Sequence, residues 1–148
     1  MESIQSTNES IKLRKLVIIP AYNESASIVN TVNDINKNAP DFDYVVINDH
    51  SKDNTLQVCK DAGLNVIDLP LNLGIGGAVQ TGYLYACQNG YDIAVQFDGD
   101  GQHDAKYLNE MAETLVKEQA DMVIGSRFIE KEGFQSSFTR RLGIRYFT

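Results

Sequence analysis

Short β-branched apolar runs alternate along this chain with longer stretches in which apolar residues recur at helical spacing. The runs 15–20, 44–48, 65–69, 93–97 and 122–126 read as strands. Several are apolar at consecutive positions, and so on both faces, as strands buried inside a parallel sheet must be. Between them, 27–38, 53–62, 77–89 and 105–119 carry the repeat of amphipathic helices. Gly63 and Gly90 fall just past two of these, where a left-handed residue caps a helix. The alternation predicts an α/β fold, a doubly wound, mostly parallel sheet with right-handed crossovers. No repeat, low-complexity tract or linker interrupts it before about residue 127.

The residues that break the apolar pattern gather after the strands. Strand one runs into Pro20-Ala21-Tyr22-Asn23-Glu24 and strand two into Asp49-His50-Ser51-Lys52-Asp53. Strand three leads to Asn72-Leu73-Gly74-Ile75-Gly76-Gly77, strand four to Asp98-Gly99-Asp100-Gly101-Gln102-His103, and strand five to Arg127. In an open α/β sheet these loops share the carboxyl edge, where ligands bind at the switch point. Polar residues scattered by chance would fall on both edges.

Composition narrows the class of ligand. The 148 residues include 20 acidic against 13 basic, a formal charge of -7, which argues against nucleic acid as a partner. An acidic protein that handles an anionic ligand must neutralise it locally, with a metal, helix N-termini or a few placed arginines. Cys59 and Cys87 match no metal-ligand spacing and read as reduced cytosolic thiols. Met1 to Ser10 is polar, without the apolar core of a secretory signal, and residues 1–14 are expected to form a flexible arm. The longest aliphatic run, Leu16-Val17-Ile18-Ile19, is far too short to span a bilayer. The expected location is cytoplasmic, at the inner face of the membrane if a membrane-protein partner docks the chain there.

Asp98-Gly99-Asp100 brings two hard oxygen ligands together on a tight turn, which suits Mg2+ or Mn2+ with waters and phosphate oxygens completing the shell. Gln102 adds an oxygen or holds a water ligand. An EF-hand loop counted from Asp98 fails, with His103 where Gly is needed and Asn109 where Glu is needed. The competing reading is a solvated acidic turn whose Asp104 caps the next helix. Asp49 ends an apolar strand and can accept from a base N–H or a ribose hydroxyl. Ser51 and Asp53 read as helix N-caps, and Glu24 either borders a nucleotide or complements a helix dipole. Gly74-x-Gly76-Gly77 is a poor dinucleotide fingerprint, with Val79 where the third glycine belongs. It reads either as a close-approach loop near phosphate or sugar or as a packing feature, and no P-loop occurs. From Arg127 onward five basic residues (Arg127, Lys131, Arg140, Arg141, Arg145) face two acidic ones, a patch suited to a diphosphate or a phosphorylated acceptor; a solvated helix face is the alternative.

Taken in order, Pro20-Ala21-Tyr22-Asn23-Glu24, Asp49-x-Ser51-x-Asp53, Asn72-x-Gly74, Asp98-x-Asp100-x-Gln102-His103 and Gly125-Ser126-Arg127-Phe128 resemble glycosyltransferase family 2. The likeness is nearest to its polyprenyl-phosphate branch, the dolichol-phosphate mannosyltransferase-like enzymes. The resemblance implies a GT-A fold, a UDP- or GDP-linked sugar donor and an inverting transfer to a lipid phosphate or cell-envelope glycan precursor. It implies that Pro20, Ala21, Tyr22, Glu24, Asp49, Gly76, Asp98 and Gly99 bind the donor. Asp98, Asp100 and Gln102 would surround the metal, Asp100 and Arg127 would act in catalysis, and Arg127, Arg140 and Arg141 would engage the acceptor phosphate. His50 stands where the family commonly has Gly, and His tolerates a left-handed backbone.

Family catalytic domains continue well beyond this length. The expectation is therefore a donor-binding domain over 15–128 and an incomplete acceptor-side region over 129–148, completed by missing chain, a partner or a second copy. A lipid phosphate is already ionised at neutral pH and needs no general base, whereas a hydroxyl acceptor would want one. None can be assigned among the strand-end acids, which favours the phosphate. The alternatives are a donor-binding module without turnover and a nucleotidyltransferase, which would need a Gly-rich basic loop after strand one.

Overall fold

The computed structural model describes residues 12–101 and 104–125. Four strands, β1 (Lys15–Ala21), β2 (Phe42–Asn48), β3 (Val66–Asp68) and β4 (Ile93–Gln96), form one sheet in the order β3-β2-β1-β4. All three pairings are parallel, with Ile18 opposite both Val45 and Gln96. The helices are α1 (Ile28–Asn38), α2 (Thr55–Asp61), α3 (Gly74–Gln88) and α4 (Leu108–Lys117), the last entered through a 3-10 turn at Ala105–Tyr107. The α/β alternation expected from the apolar pattern is present.

Side-chain alternation along the central strands explains why they are apolar throughout. Leu16 and Ile18 of β1 join Val45 and Ile47 of β2 in a core with Ala78 and Ala86 of α3. The intervening Val17, Ile19 and Val46 are equally buried, and Ile19 and Ile28 of α1 both lie beside Gly99. On the α3 side the approach is close. A Cβ built on Gly82 would stand 2.2 Å from Ile18 Cγ2, so the glycine that lets helix and strand touch is Gly82, three positions beyond Val79.

The helix ends follow the glycine signals. Gly63 and Gly90 have φ of 65° and 67°, and each amide reaches back into the helix before it, to Lys60 and Cys87. The start of α3 lies earlier than the expected residue 77. The Leu73 amide donates to Asp49 Oδ1 (2.6 Å) and the Gly74 amide to Asn72 Oδ1 (3.2 Å), so the first amides of the helix find acceptors.

The expected strand over 122–126 is corrected. Residues 122–125 have no regular structure, and Met122 and Ile124 are 74% and 79% exposed. An apolar run becomes a strand only where a neighbour supplies its hydrogen-bond partners. The chain divides into two compact units between Ala112 and Glu113. The first holds the sheet. Within the second, α4 ends where Gln119 takes φ 51° and the Ala120 amide donates to Leu115 O. Residues 129–148, and all but the end of 1–14, lie outside the described residues.

Candidate functional site

The segments that follow all four strands build the site. After β1, Asn23 sits in the left-handed region at φ 58°, where Asn is among the few non-glycine residues at ease. Its side-chain Oδ1 accepts the Lys52 amide at 2.8 Å, and its own amide donates to the Ser51 hydroxyl at 3.0 Å. The Glu24 amide donates to Thr55 Oγ1 at 2.8 Å, and the Ser25 amide to Asp53 Oδ2 at 3.3 Å. The loops after β1 and β2 are thus stitched into one wall. His50 turns the second loop with φ 55°, the left-handed conformation expected for it.

The N-cap position of α2 falls to Asn54, which makes no side-chain cap bond. Asp53, the expected cap, lies one residue earlier and accepts the first helical amide, Thr55, at 2.9 Å. Burial raises its pKa, but the Thr55 hydroxyl and Ser25, followed by the Thr55 and Ser25 amides, outweigh this and hold the carboxyl at about 2. A carboxylate depressed in the folded state contributes stability above its ordinary value of 3.8 and loses that contribution as the pH falls toward 2. Asp53→Ala is expected to cost about 1 kcal/mol at neutral pH by urea denaturation. The difference from the parent protein should narrow between pH 4 and 2. Ser51, the other expected cap, instead bridges Asn23 to Asn48, whose Oδ1 accepts its hydroxyl at 2.6 Å.

Asp49 is 3% exposed at the end of β2. Besides accepting the Leu73 amide through its side chain, it accepts Asn72 Nδ2 at its carbonyl, 3.0 Å away. The buried acid therefore ties the second loop to the start of α3. After β4, Gly99 is buried, and a Cβ there would lie 3.3 Å from the Pro20 carbonyl. The Thr31 hydroxyl, 3% exposed, reaches the Gly99 carbonyl at 3.2 Å. Glycine thus lets the acidic loop lie close against the end of β1, where a Cβ would make the Pro20 carbonyl give by a few tenths of an ångström. Asp98 accepts Gln96 Nε2 at 3.0 Å.

A cavity of about 430 Å³ opens among these loops, within the size range of small-molecule sites. Pro20, Ala21, Tyr22 and Glu24 line it from β1, Asp49 from β2, and Asp98, Gly99 and Asp100 from β4. Eight residues singled out in the sequence thus converge on one cavity. Asn72, Gly74, Ile75 and Ala78 complete the wall. Gly76 does not line it; it is exposed in the first turn of α3, while Gly77 packs against Leu73. Gln102, His103, Arg127, Arg140 and Arg141 lie outside the described residues.

Asp104 is separate from the acidic pair. It accepts the Lys106 amide as cap of the 3-10 turn and pairs with the Lys106 ammonium at 2.8 Å. The hydrogen bond from that side chain holds its carboxyl below the usual carboxylate range, against a smaller opposing effect of burial. Among the described residues no group of three or more His, Cys, Asp or Glu converges. Asp98 and Asp100 both line the cavity, and Mg2+ or Mn2+ takes one or two carboxylates from a protein when phosphate and water complete its shell. The donor set fits such an ion.

The sequence reading missed Asn48, Thr31 and Gly82. Asn48 had a signal, a polar residue closing an apolar run. The other two acquire meaning only from what they touch across the fold.

Residues 16–147 match Glycosyl transferase family 2. This chain belongs to that family. Protein RfbJ of Shigella flexneri is 37% identical over 124 residues, covering 84% of this chain and 92% of its own length. The undecaprenyl-phosphate mannosyltransferase of Micrococcus luteus is 34% identical over 120 residues, 78% of this chain but 49% of the relative. The family-2 chain thus spans about half of that enzyme. Among solved structures, mannosyltransferase PcManGT from Pyrobaculum calidifontis, in complex with GDP-Man and Mn2+, superposes with TM-score 0.58 at 24% identity. That match covers 76% of this chain and 34% of the other. The fold is that of the GT-A glycosyltransferases. No helix among the described residues is long and apolar enough to cross a membrane.

Proposed function

We propose that this chain forms the donor site of an inverting, metal-dependent hexosyltransferase that moves a sugar from a UDP- or GDP-linked donor to a polyprenyl phosphate or cell-envelope glycan precursor. The observation that carries this reading is the convergence of the β1, β2 and β4 ends on one cavity, with Tyr22 and Asp49 on its walls beside Asp98 and Asp100. In this reading Pro20, Ala21, Tyr22 and Glu24 border the nucleoside. Asp49, an acceptor-only group held by the Leu73 amide, takes a base N–H or a ribose hydroxyl. Gly99 and Gly74, both on the cavity wall, would lie toward the donor phosphates and sugar.

Asp98 and Asp100, with Gln102, would hold Mg2+ or Mn2+, which supplies positive charge to the diphosphate as it leaves. Gly99 keeps the two carboxylates against the Pro20 turn, because any side chain there would meet the Pro20 carbonyl. Asp100 and Arg127 are the residues assigned to the chemistry, and Arg127, Arg140 and Arg141 would neutralise the acceptor phosphate. A phosphate acceptor attacks without a general base, consistent with every strand-end acid having another role. The name of the Micrococcus relative supports a lipid-phosphate acceptor, and the reaction would then take place at the inner face of the membrane, on a membrane-protein partner or in a homo-oligomer.

A thermal-shift screen of UDP- and GDP-sugars with Mg2+ or Mn2+ tests the reading. A true donor at about 100 times its Kd should stabilise the chain by about 2.7 kcal/mol, a rise of roughly 5–10 °C. No shift with any nucleotide sugar would overturn it. Donor binding without transfer to undecaprenyl phosphate would assign the chain to a donor-binding subunit.

A further inference from the structure

Asn48 is 2% exposed and lies under the loops that form the nucleoside wall, yet it does not line the cavity. Its amide Nδ2 donates to Asp68 Oδ1 at the end of β3, 2.6 Å away. Its Oδ1 accepts the Ser51 hydroxyl at 2.6 Å, and Ser51 Oγ in turn accepts the Asn23 amide at 3.0 Å. The polarity of this chain of bonds follows from one end. A carboxylate only accepts, so Asp68 obliges Asn48 to present its NH2 to β3 and its carbonyl to Ser51. That carbonyl takes the Ser51 proton. The hydroxyl lone pair is left for the backbone of Asn23, between the cavity-lining Tyr22 and Glu24.

We infer that Asn48 is a positioning residue for the donor nucleoside: with Asp68 it sets the direction of a hydrogen-bond relay that holds the Tyr22–Glu24 turn in its binding conformation. The relay spans three strand ends and reaches the one left-handed non-glycine residue of the first loop, Asn23 at φ 58°. Asn23 is tied there at both its amide and its side chain, by Ser51 and by the Lys52 amide. Asn48 is suited to the position because it can donate on one side and accept on the other. A carboxylate at position 48 would face Asp68 across a hydrogen-bond distance, and two carboxylates so close cannot both remain ionised without cost.

The inference rests on the donor-binding reading, and its test separates the two. Binding of UMP and GMP, without metal, reports the nucleoside wall alone. Binding of UDP and GDP with Mn2+ adds the acidic loop. For whichever nucleotide the parent protein binds, Asn48→Asp should weaken the monophosphate about tenfold by calorimetry. The further gain from the second phosphate and Mn2+ should stay within about twofold of the parent value, a separation that general loosening of the fold would not give. Adding Asp68→Asn to Asn48→Asp restores a donor opposite an acceptor, with the polarity reversed, and should recover monophosphate affinity to within about twofold. Ser51→Ala breaks the relay without altering charge and should weaken the monophosphate to a similar extent, which decides the matter if Asn48→Asp does not fold. Unchanged monophosphate affinity in folded Asn48→Asp or Ser51→Ala overturns the positioning role and leaves donor binding intact. A parent protein that binds neither nucleotide overturns both.

Discussion

Asp100→Ala is expected to abolish most of the Mn2+-dependent part of nucleotide-sugar affinity, a loss of about 100-fold measured by calorimetry with and without the ion. Loss of partners that only orient metal ligands commonly costs 10–100-fold, and a ligand itself should cost at least as much. Asp100 is exposed on a loop, so the substitution should leave thermal stability nearly unchanged. Nucleoside monophosphate binding without metal should also persist, because Tyr22 and Asp49 belong to other strand ends. Metal-dependent affinity that survives the change unaltered would remove Asp100 from the ligand set and leave Asp98 without its partner.

Gly82→Ala should produce the largest loss of stability from a single added carbon. The new Cβ would stand 2.2 Å from Cγ2 of Ile18, a fully buried residue of the central strand. Two effects oppose each other. Alanine favours a helix over glycine by about 1 kcal/mol, whereas overpacking costs roughly 1–3 kcal/mol. At this distance no side-chain rotation relieves the clash, since Ile18 Cβ also lies 3.1 Å away. The helix would have to lift where Ala78 and Ala86 also pack. The upper end of the range applies, and the net loss should be about 2 kcal/mol, seen as a lower urea midpoint with an unchanged slope. A variant as stable as the parent would show that α3 is free to move off the sheet, contrary to its packing.

The site was legible in the sequence to the extent that local chemistry determines local geometry. Pro20, Tyr22, Glu24, Asp49, Asp98 and Asp100 could be gathered before any coordinates because parallel strands put their following loops on a single edge. His50 and Gly63 declared their left-handed backbones by residue type and place, and both have positive φ. The glycine-rich turn was harder. Its spacing pointed to Gly76 at the donor, but the cavity wall uses Gly74, Ile75 and Ala78, because Asp49 and Asn72 satisfy the first amides and let α3 begin earlier. Asp104 was legible as a helix cap from its place before residue 105, and it does cap the 3-10 turn there, whereas its ion pair with Lys106 came only with the structure.

The run of apolar residues at 122–126 marks where periodicity stops being informative. It has the composition of a strand, yet 122–125 form none, because a strand is completed by a neighbour and composition names no neighbour. By itself the sequence determined the order of the first four strands and their helices, the carboxyl-edge loops and the family. These depend on side-chain period, backbone preference and motifs contained in short segments. The tertiary structure alone decided which glycine lets α3 touch β1, which amides begin that helix, and how Asn48 joins Asp68 to the turn at Asn23. Each of these depends on a contact between residues 20 or more positions apart in the chain, Gly82 with Ile18, Leu73 with Asp49, Asn48 with Asp68 and Asn23 with Ser51, and folding, not local pattern, brings such partners together.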